Sequence, residues 1–140
     1  MLEIKGIGIT TVAGLIAEVG DITRFDNTKE LRKLAGLELV ADSSDKHNGK
    51  IKISKRGLKR LRYLLFEAAI SVVGKNKEFK EIHRYYIARE KNPLKKMQPL
   101  IAVVCKLIRV LHVILTKEVS YDASKMLEDI RHLGVQLKAA

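Results

Sequence analysis

Eight cations fall within 17 residues: Lys46, Lys50, Lys52, Lys55, Arg56, Lys59, Arg60 and Arg62, with no carboxylate among them. A solvated helix face ordinarily mixes both signs of charge, and this run does not. A row of phosphates would neutralise it. Two hydroxyls, Ser43 and Ser44, stand just before the run and are followed by Asp45; taken alone they describe an ordinary polar loop. A second stretch with binding chemistry is Gly6-Ile7-Gly8, which precedes an apolar helical pattern near Thr10. Glycines leave the backbone bare and permit a tight turn, so amides here could hold a phosphate in a hairpin between two helices. A plain helix start with a flexible lead-in fits equally well, and both readings stay open. A dinucleotide loop does not fit: only Met1–Lys5 precede the turn, and Thr11 stands where the third glycine belongs.

Composition narrows the class of partner. The 140 residues carry 27 basic and 16 acidic side chains, a net charge of +11, with 46% hydrophobic and 31% charged residues. That describes one globular domain with a polyanionic partner. The absence of Trp and an aromatic content of 5% argue against single-strand binding by base stacking, so duplex or structured nucleic acid is expected. Cys105 is the single cysteine, placed in an apolar helical run as a reduced, buried thiol. His47, His83, His112 and His132 share no ligand spacing, so no metal site and no cofactor are expected in this chain. Charges interrupt every apolar run, no signal peptide is read at the N-terminus, and the expectation is a cytoplasmic protein without a membrane span.

The elements that must position these residues are helical, about six of them. The first begins near Thr10, with Val12, Leu15, Ile16 and Val19 on its inner face and Gly20 as its stop. Asn27 caps a second, which Gly36 ends. Residues 37–57 form one long basic loop, with a weak strand alternation at Lys50-Ile51-Lys52-Ile53. A third helix spans about Leu58–Val73 and closes at Gly74. Asn76 caps a fourth carrying Phe79, Ile82 and Tyr86, which ends before Pro93. The fifth, from Pro99, places Leu100, Val103, Val104, Leu107, Ile108, Leu111, Ile114 and Leu115 on one broad stripe at the centre of the core. A sixth begins at Asp122, with Met126, Leu127, Ile130 and Leu133 inward. The expected organisation is a single all-α domain over 1–140: a helix-hairpin-helix region (1–36), the basic loop (37–57), then the helical core and tail (58–140).

The pieces "GDITRF" at Gly20–Phe25 and "ISKRG" at Ile53–Gly57, the latter followed by Leu61-Arg62, resemble the C-terminal domain of a bacterial insertion-sequence transposase family. Its members are serine-dependent enzymes related to Piv-type DNA invertases and are also called bridge-RNA-guided recombinases. The resemblance runs from Ile4 to about Tyr121. It implies that Gly6 and Gly8 are helix-hairpin-helix glycines in contact with DNA, and that the nucleophilic serine falls at Ser44, with Ser43 as the alternative. It also implies a RuvC-like N-terminal domain, absent from this chain, that binds Mg²⁺ through acidic residues. Implied partners are duplex DNA, a guide RNA and a second copy of the protein. Lys46, Lys50, Lys52, Lys55, Arg56, Lys59, Arg60 and Arg62, together with Gly6, Gly8 and Thr10, would be the DNA-binding set. The family has glycine where this chain has Asp45, which puts a negative charge beside the attacked phosphate. Two functions therefore stand side by side: the serine-bearing half of a recombinase, inactive alone, or a DNA-binding module without catalysis.

Overall fold

The computed structural model describes residues 3–41, 51–89, 93–94, 97–117, 120–122, 124–125 and 127, with backbone alone at 39–41 and 51–52. The fold is all-α apart from one short ribbon. Helices α1 (Ile9–Val19), α2 (Thr28–Leu34), α3 (Lys59–Lys75), α4 (Lys77–Ala88) and α5 (Gln98–Lys117) surround a core of Leu15, Leu31, Leu61, Leu65, Val72, Phe79, Ile82, Val103, Val104, Leu107 and Ile108. α5 packs on α2, α3 and α4, as its broad apolar stripe predicts. By length and composition α5 could also cross a bilayer. That corrects the sequence reading: Lys106 and Arg109 interrupt the helix but leave it long and apolar enough.

Local chemistry fixes the helix ends. Asn27 Oδ1 accepts from the Glu30 amide at 3.1 Å, and Glu30 reaches back to the Asp26 amide at 3.1 Å, a reciprocal cap for α2. At its other end the Leu37 amide donates to Arg32 O (2.9 Å) and the Gly36 amide to Lys33 O (3.0 Å), with Gly36 at φ 72°. This is the Schellman closure that the Leu34-Ala35-Gly36 sequence leads one to expect. The "GDITRF" stretch is a 3₁₀ turn (Ile22–Arg24) built by Asp21. Its carboxylate accepts from the Thr23 amide at 3.0 Å and the Thr23 hydroxyl at 2.7 Å, and these two bonds hold its pKa below the ordinary value. Arg24 closes the turn on Val19 O at 2.9 Å while its guanidinium lies 4.6 Å over the Phe25 ring.

Three expectations need correction. α3 does not close at Gly74 but runs to Lys75, because Asn76 serves both helices. Its amide donates to Val72 O at 2.7 Å, and its Oδ1 accepts from the Glu78 and Phe79 amides at 3.1 and 3.3 Å. Ile16 lies outward, 49% exposed, since α1 is not covered on all sides. Residues 37–57 are not wholly irregular: β1 (Leu39–Ala41) and β2 (Ile51–Ile53) form an antiparallel ribbon, with Leu39 opposite Ile53 and Ala41 opposite Ile51. Of the sixth helix, Asp122 accepts from the Ser124 and Lys125 amides at 3.0 and 3.3 Å, and Leu127 is buried. Met126, Ile130 and Leu133 lie outside the described residues.

Candidate nucleic-acid interface

The candidate residues divide between two places, and the pairing of α1 with α3 explains why. A Cβ on Gly6 would stand 3.0 Å from Val72 Cα, and one on Gly14 would stand 2.9 Å from Leu64 Cδ1. Arg60 Nε lies 3.3 Å from Glu18 Oε1. Ascending α1 therefore means descending α3: the helices are antiparallel. From Ser71 to Arg60 is eleven residues, so the Gly6 turn and the start of α3 are separated by about 16 Å along the helix axes.

At the first end, the two glycines have different surroundings. Gly6 has φ +105° and packs against the α3 backbone, where its carbonyl accepts from Ser71 Oγ at 2.6 Å. The turn needs glycine there for conformation and closeness. Gly8 is exposed, with nothing within 4 Å of a Cβ placed on it. It is the N-cap residue of α1, without a side-chain cap and without an acidic residue in the first turn, which includes the exposed Thr10. No helix precedes this turn among the described residues. Asn76 brings further cations to this end. Its Nδ2 donates to Lys5 O at 3.2 Å, which sets Lys75 and Lys77, both exposed, beside Lys5. Sequence reasoning missed these three lysines because the junction that unites them spans 71 residues.

At the second end, the Lys55–Leu58 turn is stitched to the C-terminus of α2. The Lys55 amide donates to Gly36 O at 2.9 Å, the Leu58 amide to Leu34 O at 2.8 Å, and the Ser54 amide to Glu38 O at 2.8 Å. Arg56 is turned by its amide, which donates to Ser54 Oγ at 3.3 Å. Lys55 occupies the left-handed region at φ 55°, which costs a lysine about 1 kcal/mol. Lys55, Arg56 and Lys59 are exposed, and none of them pairs with a carboxylate among the described residues. α3 itself starts at Lys59, with Leu58 in the N-cap position, no side-chain cap and no acidic residue in its first turn. The contrast with α2 and α4 is direct, since both of those are capped by asparagine and carry a glutamate in the first turn.

Two arginines of the predicted set are engaged within the protein. Arg60 pairs with Glu18, although its side chain is 72% exposed, so the ion pair itself is worth at most about 1 kcal/mol. Arg62 is half-buried and donates from Nη1 to Ala35 O at 3.3 Å. Ser43, Ser44, Asp45, Lys46 and Lys50 lie outside the described residues, and at Lys52 the backbone alone is described. The described residues bring no group of three or more His, Cys, Asp or Glu together where a metal ion could be held.

The family model of the Transposase IS116/IS110/IS902 family matches residues 1–84, more than half of the chain. The chain belongs to this family, and with that comes a role in transposition. No curated protein matches it.

Proposed function

We propose that this chain is the DNA-binding, serine-bearing part of a transposase, holding duplex DNA through phosphates. One observation carries the reading. The antiparallel α1/α3 pair presents an uncapped helix N-terminus at each end, and the second lies beside three exposed cations, Lys55, Arg56 and Lys59, that pair with no carboxylate among the described residues. Helix N-termini and cations favour phosphate for the same electrostatic reason. Their spacing of about 16 Å matches roughly five base-pair steps along one strand.

The finer chemistry rests on Ser44, with Ser43 as the second choice. Its Oγ would attack a DNA phosphorus, forming a phosphoserine ester as one P–O bond of the strand breaks. The serine proton passes to a base, and the oxygen of the severed end takes up a proton from water as it leaves, becoming a hydroxyl. The magnesium implied by the family does not fit the described residues of this chain. We assign it to a separate RuvC-like domain and route no step through it. A guide RNA and a second copy of the chain are compatible with this reading, which places the protein in the cytoplasm.

The test is duplex binding against salt. The logarithm of the affinity should fall linearly with the logarithm of the salt concentration, at about 0.9 per phosphate engaged. A flat dependence would remove the reading. Complemented by a RuvC-like domain, the chain should form a covalent adduct with DNA that is lost in Ser44→Ala and enriched in Asp45→Gly. Loss in Ser43→Ala alone would move the role by one residue. Binding without any adduct would favour the module that binds DNA and does no chemistry.

A further inference from the structure

The structure assigns Arg62 and Gly57 a positioning role: they fix the direction in which Lys55 and Arg56 are presented, and they do not themselves hold phosphate. This inference rests on the nucleic-acid reading above. Arg62 is half-buried, and its guanidinium donates from Nη1 to Ala35 O at the C-terminus of α2, 3.3 Å away. The same nitrogen would lie 2.7 Å from a Cβ on Gly36, so guanidinium and glycine occupy adjoining space. A Cβ on Gly57 would collide with Leu34 O and stand 2.7 Å from the Gly36 amide nitrogen. Between these two fixed points runs the turn whose Lys55 and Leu58 amides are bonded to Gly36 O and Leu34 O.

The turn is thus held at both ends by one helix terminus. Each carbonyl from Arg32 to Gly36 has a donor: the amides of Leu37, Gly36, Leu58 and Lys55, and the Arg62 guanidinium. Removing the guanidinium leaves Ala35 O open. Adding a methyl at Gly57 pushes the turn off Leu34. Either change releases Lys55 from its left-handed conformation, and the exposed Lys55 and Arg56 lose the backbone geometry that presents them. Lys59 lies on α3 and keeps its own.

The salt dependence of duplex binding separates a positioning role from a contact, because it counts phosphates engaged. The full 140-residue chain is titrated with a random 20-base-pair duplex, and helical circular dichroism confirms the fold of each variant. Gly57→Ala removes no charge, yet it is expected to lower the slope by roughly 1.8, two contacts' worth at about 0.9 each. Lys55→Ala combined with Arg56→Ala should give the same loss. Arg62→Ala should also lose roughly 1.8, and adding it to Gly57→Ala should cost nothing further, since both act on one turn. If Gly57→Ala does not fold, Arg62→Ala decides alone. A loss near 0.9 makes Arg62 a direct phosphate contact and overturns the proposal. An unchanged slope in folded Gly57→Ala overturns it as well. A flat wild-type titration instead removes the nucleic-acid reading itself, and this inference with it.

Discussion

Ser71 Oγ donates a 2.6 Å hydrogen bond to the carbonyl of Gly6, 65 residues earlier in the chain. The bond ties the turn before α1 to the last turns of α3 and decides which way that turn faces. Gly6 is pressed inward against Val72, and Gly8, two residues on, faces open space. The two glycines look alike in sequence and do different work.

Their substitutions should therefore separate. Gly6→Ala meets Val72 Cα at 3.0 Å in a positive-φ conformation, and should lose about 1–3 kcal/mol of stability in denaturant unfolding. Gly8→Val should leave the unfolding midpoint unchanged, because Gly8 is extended at φ −95°, and weaken duplex binding by blocking approach to the α1 amides. Loss of stability in Gly8→Val, or none in Gly6→Ala, would reverse the assignment.

Asn76 is a polar residue in the core, 3% exposed, bonded on one side to the α4 amides and on the other to Lys5 O. Asn76→Ala removes the cap and strands the carbonyl, for about 2 kcal/mol and a melting temperature lowered by roughly 6–10 °C. Asn76→Asp keeps the cap acceptor and loses the donor to Lys5, so it should cost about half as much. Equal losses for both variants would show that the Lys5 link carries the whole effect.

Much of this was legible from local chemistry. Asn27, Gly36 and Asn76 each mark a helix boundary because their side chains or φ values act within four residues. The stripe on α5 is visible for the same reason, being a repeat within one helix. The candidate surface was only partly legible. Lys55, Arg56 and Lys59 are exposed, as a run of unbalanced charge suggests, but Arg60 and Arg62 belong to the same run and find partners 42 and 27 residues away, at Glu18 and Ala35. Nothing in the spacing of cations distinguishes the two groups. Nor does sequence reveal that Gly8 and Lys55 stand at opposite ends of a helix pair, since the antiparallel crossing of α1 and α3 is a tertiary fact.

Tyr121 gives a pH-dependent check on the packing of the C-terminal segment. Its phenol is pushed up to about 12, chiefly by burial and then by the negative charges of Glu78 and Asp122. Because the folded value lies above the ordinary one of 10.0, the stability that this tyrosine contributes is present below about pH 10 and disappears as pH rises towards about 12. Ultraviolet titration should show an ionisation near pH 12 that is missing in Tyr121→Phe. If the wild-type and variant curves differ only near pH 10, the phenol is solvated and the packing is wrong.

The pairing of α1 with α3, across the whole of α2 and the ribbon, also sets an order of events during synthesis. When α1 leaves the ribosome, the α3 residues 61–72 that pack on it have still to follow. At about 5–20 residues per second, the wait from Val19 to Lys75 is roughly 3–11 seconds. Throughout that interval an apolar helix is open to proteases, chaperones and other nascent chains. A message broken between α2 and α3 would yield a fragment whose first helix never finds its cover.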